Sequence, residues 1–210
     1  MTILDVLTEP PIDESGLALA GPAQDLLFRE ARTANTFTDE PVTDEQMRAI
    51  YDLVKFAPTS MNTQPARIVL IRSGQARERL VAHMSPGNQA KTAAAPLVAV
   101  VTADREFHEN IPQVFPHNPG AKAFFEDAAK REHFSAFNAT LQLGYFILGV
   151  RAAGLSAGPM TGFDGPALEA ELFPAGDQKV LAVVNIGHPG PDAWLDRLPR
   201  LDYDQVVRTL

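Results

Sequence analysis

The 210-residue chain is 45% apolar and 21% charged, enough for one buried core and too short to favour two full-sized domains. A net charge of -8 and a pI near 5.1 oppose an extended nucleic-acid partner, which needs clustered Lys and Arg. The absence of cysteine excludes disulfides, thiolate zinc sites and cysteine-held iron–sulfur clusters, so any redox chemistry requires an organic cofactor.

The opening MTILDVLTEPP carries Asp5 and Glu9 where a secretory signal has positive charge, and a cytoplasmic protein is expected. Residues 1–21, rich in Pro and Gly, read as an arm on the surface or on a partner subunit, and residues 22–210 as a single domain. DLLFREAR reads as a short helix. In TDEQMRAIYDLVKFA, Thr43 and Gln46 are spaced as a capping box, and Met47, Ile50, Val54 and Ala57 share one helical face.

RIVLIR (67–72) and PLVAVVTA (96–103) read as strands, the second with so little polar alternation that both its faces should be buried. Between them lie an amphipathic ARERLVAHM segment and SPGNQAKT, which reads as a polar connection. Residues 104–121 read as a lid-like excursion. FSAFNATLQLGYFILGVRAA (134–153) is apolar almost all round, as in a helix buried in the core or in a subunit interface. Its longest apolar segment, Leu141 to Ala153, is broken by Gln142 and Arg151 and falls short of a membrane span, and Gly154 can end the helix. VLAVVNIGH (180–188) supplies a third strand. Helices and strands alternating at these lengths indicate an α/β or α+β sandwich.

GLSAG (154–158) matches the nucleophile-elbow pattern, and Asp177 and His188 follow in the chain order of a hydrolase triad. That elbow needs Ser156 on a strand-to-helix turn, whereas here the motif follows a helix, so a helix-ending glycine is the preferred reading. The five histidines are scattered and show no metal-ligand spacing, and neither a dinucleotide-binding glycine motif nor a phosphate loop occurs. What remains is a set of polar clusters: ARTANTF (31–37), PTSMNTQP (58–65), GNQAKT (87–92), GPMTGFD (158–164) and RLPRL (197–201). Each alone has a ready explanation in caps and turns. Together their neutral amides and hydroxyls suit the pyrimidine edge and ribityl chain of a flavin, and their Arg and Lys suit its phosphate.

With these motifs in this order, the sequence resembles the FMN-dependent nitroreductase family from about Ala31 to the C-terminus. EARTANTF, SMNTQPARIVLI, VFPHNP, GPMTGFD and RLPRL are similar to its HadB/RutE branch, whose activity is reduction of malonic semialdehyde to 3-hydroxypropionate in pyrimidine degradation. The resemblance implies an α+β three-layer sandwich, a central mixed β-sheet flanked by helices, assembled as an intertwined homodimer with FMN at the interface. It implies that Arg32, Thr33 and Asn35 meet the phosphate, ribityl and pyrimidine parts. Pro58, Thr59, Ser60 and Asn62 would come from the other subunit, with Asn88 and Lys91 near the pyrimidine edge. Pro159, Met160, Thr161 and Gly162 would flank the isoalloxazine, and Arg200 with Arg197 would hold the phosphate. NADH or NADPH would deliver hydride to flavin N5 before a small organic substrate takes it. No catalytic side chain and no metal is implied.

Two positions depart from the family's pattern. The first motif has Ala31, Arg32 and then Asn35 where the family commonly has two basic residues and a third, which would shift the anion's load towards Lys91 and Arg200. Ala66 stands where an aromatic residue is common, followed by Arg67, which would open a strand with its head in solvent or meet a substrate carboxylate. Other readings are a broad nitroaromatic or quinone reductase and a non-catalytic flavin-binding protein.

Overall fold

The computed structural model describes residues 16–210, so most of the expected N-terminal arm lies outside the described residues. Helix α1 (Gly21–Gln24) continues as a π-helical turn over Asp25–Arg29, starting earlier than DLLFREAR suggests because Pro22 fits a first turn. Helix α2 (Asp44–Val54) begins where the capping box places it. Thr43 Oγ1 accepts from the Gln46 N–H at 3.1 Å, and Gln46 Oε1 accepts from the Thr43 N–H at 2.8 Å.

Strands β1 (Ala66–Ile71), β2 (Leu97–Asp104), β3 (Ser156–Met160) and β4 (Gln178–Gly187) form one sheet in the order β1-β2-β4-β3. Every pairing among the described residues is antiparallel, which corrects the expected mixed sheet. The helical connections between β1 and β2, and between β3 and β4, return the chain to the end of the sheet at which it left. β2 is buried throughout, as its unbroken apolar run requires of a central strand covered on both faces. β3 was not foreseen, since Gly158 and Pro159 read as turn residues. It is an edge strand, where a residue without an N–H is tolerated.

SPGNQAKT is not a connection but part of helix α4 (Pro86–Ala94), started by Pro86 in its first turn, and it follows helix α3 (Gly74–Ala82). One face of the sheet packs on α2 and the long helix α6 (Ala128–Ala152) through Met47, Ile50, Phe146 and Val150. The other packs on α3 and on α7 (Gly165–Leu172) through Leu80 and Leu168. Helix, sheet and helix thus form three layers. The contact of α2 with α6 is close: a Cβ on Gly149 would lie 2.3 Å from Val54 Cγ1.

Residues 104–121 enclose a small core of their own. Phe107 and Phe125 flank the short helix α5 (Ile111–Val114), and their rings and Ile111 are fully buried against the first turns of α6. α6 ends at Ala152, and Gly154 follows at a φ of 76°, the left-handed turn expected of it. Beyond β4 the chain runs outward to a short helix α8 (Tyr203–Val206) with its apolar side chains exposed.

Candidate functional site

Beside the last turn of α6, residues from both ends of the chain enclose a cavity of about 330 Å³. Arg32, Thr33 and Asn35 of the first motif line it with Arg197 and Arg200 of the last, so five expected residues converge. A sixth, Arg151, was foreseen only as an interruption of an apolar helix.

In a chain of net charge -8, these four arginines gather beside a single lining carboxylate, Asp196, and none forms an ion pair among the described residues. Arg197 donates to the Arg29 carbonyl, and Arg200 to those of Leu198 and Pro199 at 2.9 and 3.2 Å, contacts that leave the charges uncancelled. The Arg151 side chain makes no hydrogen bond among the described residues, its Nε is buried, and burial pulls its pKa below the ordinary value. Like charges held this way repel one another unless an anion sits among them, and planar guanidinium forks match phosphate oxygens.

Ser156, at the start of β3, lines an adjoining hollow of about 180 Å³ that shares Ala31, Arg32 and Arg151 with the first. From there β3 passes beneath the first motif. A Cβ on Gly158 would lie 3.0 Å from the Ala34 carbonyl oxygen, so glycine is what permits the approach. Asn185, opposite Gly158 on β4, is buried there with neither amide atom hydrogen-bonded. Past β3, Asn88 Nδ2 on α4 donates to the Gly162 carbonyl at 3.0 Å, and the Thr92 hydroxyl lies 3.9 Å from Met160 Sδ. GPMTGFD and GNQAKT are thereby joined. At about 3.3 Å per residue, β3 spans roughly 13 Å between a cationic hollow and a neutral amide edge. Lys91 does not line the arginine cavity, so of the two residues expected to take up the anion's load only Arg200 is placed for it in this chain.

The third expected group lies elsewhere. Pro58 and Thr59 lead into a tight turn, Ser60–Asn62, in which Met61 and Asn62 have φ of 54° and 53°, with Gln64 following at 45°. Left-handed backbone costs a residue other than glycine about 1–2 kcal/mol, so the surroundings must hold it. They do: the Ser60 N–H donates to Asn138 Oδ1 at 2.8 Å, and Asn62 Nδ2 to the Val114 carbonyl at 2.7 Å. Asn138 lies about 20 Å from Arg151 along α6 at about 1.5 Å per residue. Within one chain this loop does not reach the arginine cavity.

Three other readings are settled by the same geometry. Ser156 opens a strand instead of a strand-to-helix turn, and Asp177 and His188 flank opposite ends of β4, about 36 Å apart at about 3.3 Å per residue, so no hydrolase triad assembles. Arg67 is partly solvated, its side chain 37% exposed, but it is not free for a substrate: it bonds Asp104 at 2.6 Å and the Gln64 and Ala66 carbonyls at 2.9 Å. Glu106, His108 and Glu109 cluster, but Arg131 and Lys122 already engage the two carboxylates at 3.1 and 2.6 Å. Among the described residues, no helix is long and apolar enough to cross a membrane.

Comparison with known proteins agrees with this architecture. The family model described as the nitroreductase family matches residues 28–188. A Streptomyces coelicolor protein with the provisional name NADH dehydrogenase/NAD(P)H nitroreductase is 65% identical over 195 residues, covering 92% of this chain and 99% of the relative. A Bacillus subtilis structure provisionally named a nitroreductase superposes with a TM-score of 0.80 at 22% identity, covering 88% of this chain and 97% of that one. An Exiguobacterium sibiricum structure of similar provisional name, solved in complex with FMN, also gives 0.80, at 18% identity over 91% of this chain and 98% of that one.

Proposed function

The chain belongs to the nitroreductase family, and from that premise we propose that it is an NAD(P)H-dependent oxidoreductase that holds FMN along β3. The observation that carries this reading is the pairing of an uncompensated arginine cavity at one end of β3 with the Asn88–Gly162 edge near the other. The donor set fits: guanidiniums for a phosphate, hydroxyl and amide groups for a ribityl chain, and neutral amides for a pyrimidine edge. Bound there, FMN supplies hydride transfer from NADH or NADPH to an organic acceptor.

The chain's own residues bind, orient and exclude water. Arg32, Arg197 and Arg200 neutralise the phosphate, while Thr33 and Asn35 bond the ribityl chain. Pro159, Met160, Thr161 and Gly162 lie along the ring system, the last three presenting backbone N–H groups, with Asn88 and Lys91 at the pyrimidine edge. Pro58, Thr59, Ser60 and Asn62 serve the site of a second copy, making the active form a homodimer. Two features support that assembly: the distance of this loop from the arginine cavity, and exposed apolar side chains, a row on α6 of Phe137, Leu141 and Tyr145 together with Leu53 and Phe56. Asn62 bonds Val114, so the 106–119 segment travels with the loop and borders the acceptor space.

The acceptor we assign is malonic semialdehyde, reduced to 3-hydroxypropionate in pyrimidine degradation, on the strength of the HadB/RutE-like motifs. A visible spectrum of the purified protein, anaerobic NADPH addition and then each acceptor in turn tests the reading in steps. Flavin bands should bleach with NADPH and return with malonic semialdehyde. Return only with a nitroaromatic or quinone would move the substrate assignment to a broad reductase, and no return with any acceptor would leave a flavin-binding protein. A colourless protein that FMN does not reconstitute would remove the cofactor assignment.

A further inference from the structure

We propose that Arg151, in the last turn of α6, is a fourth phosphate-binding arginine that takes the place of the basic residue missing at position 31. The proposal rests on FMN binding in the arginine cavity and adds a residue to it. Ala31 and Arg151 line the same two hollows, so the short side chain at 31 leaves room that the guanidinium from α6 shares.

Arg77 shows what a purely structural arginine looks like in this molecule. It too has a buried Nε without a partner, and burial lowers its pKa. Its terminal nitrogens, however, donate to the carbonyls of Thr92 at 3.0 Å, Ala95 at 2.6 Å and Ile71 at 3.1 Å, bracing α3 and α4 against β1. Arg151 makes no such bonds. Glu30 lines the smaller hollow, yet no ion pair joins it to Arg151 among the described residues. A half-buried cation with no carbonyl or carboxylate partner is costly on its own. Beside a dianion the same burial strengthens the attraction, because less water screens it.

The test is to titrate the flavin-free protein with FMN and with riboflavin, which lacks the phosphate, following flavin fluorescence. Arg151→Met, which keeps the apolar stem in place, should weaken FMN binding roughly 10- to 100-fold, as expected for loss of one charge-assisted contact. Riboflavin binding should stay within about twofold, and the salt dependence of FMN binding should become shallower. Arg151→Lys should recover part of the loss, and adding Ala31→Arg to Arg151→Met should restore the preference for FMN. Equal affinity of the unmodified protein for both flavins would overturn the phosphate cavity itself. A normal FMN preference that survives in Arg151→Met would overturn only the role of Arg151. A circular-dichroism melt of each variant checks folding, and Arg151→Lys carries the comparison if the Met variant does not fold.

Discussion

The two ends of α6 both carry an arginine, and they treat it in opposite ways. Near the N-terminus, Arg131 donates to the carbonyls of Arg105 and Phe125 at 2.8 and 2.9 Å and pairs with Glu106 at 3.1 Å. Ser135 donates to the Asp104 carbonyl at 2.6 Å, and Asn138 holds the strained turn at Ser60. At the C-terminus, the Arg151 side chain bonds nothing among the described residues and faces a hollow shared with three more arginines. A closed set of hydrogen bonds identifies a brace; an open set among like charges identifies a place for an anion.

If the C-terminal half of α6 is held by packing and its N-terminal half by polar bonds, different substitutions should break each. Gly149→Val has the largest expected effect. Its Cβ would meet Val54 Cγ1 at 2.3 Å and Ile50 Cγ2 at 3.2 Å, so overpacking should cost about 3 kcal/mol in urea denaturation. An unchanged midpoint would mean that α2 and α6 separate freely.

Asn138→Ala removes the acceptor for the Ser60 N–H and should cost about 1–3 kcal/mol. Because it acts at the far end of the helix, it should leave the ratio of FMN to riboflavin affinity unaltered, even where it weakens both. A selective loss of FMN would show that the two ends are coupled.

The smallest effect belongs to Glu132, held below the ordinary carboxylate range first by its hydrogen bond to Lys179 and then by the Arg105 charge. A folded-state pKa below the unfolded one gives stability that is present above the unfolded value and is lost as pH falls through the folded value. The group is 42% exposed, so solvent screening reduces its contribution to a few tenths of a kcal/mol. Glu132→Gln should therefore be slightly less stable at neutral pH, with the difference vanishing in acid. A gap that persists below the folded pKa would assign the loss to something other than charge.

Features written within a few residues were legible beforehand. Thr43 and Gln46 announced the start of α2, Gly154 the end of α6, and the run 96–103 a strand buried on both faces. Features set by distant partners were not. α4 was hidden because Gly87, Asn88 and Gln89 resemble a turn until packing commits them to a helix begun by Pro86. β3 exists through its register with β4, and no local propensity favours a strand at Gly158–Pro159. Gln142 and Arg151, alike as polar breaks in an apolar run, separate only in space: Gln142 accepts from the Ala66 N–H at 2.9 Å at the start of β1, while Arg151 reaches the cavity.

By itself, then, the sequence determined which chemical groups were on offer: an amide-and-hydroxyl set with arginines, no thiol, and a fold of helices and strands able to carry them. The tertiary structure alone decided where they meet, gathering Arg32, Arg151, Arg197 and Arg200 into one hollow and leaving Ser60 and Asn62 about 20 Å down α6. Caps and periodicity are settled by bonds between near neighbours, whereas convergence depends on sheet register and helix packing, which join residues far apart in the chain.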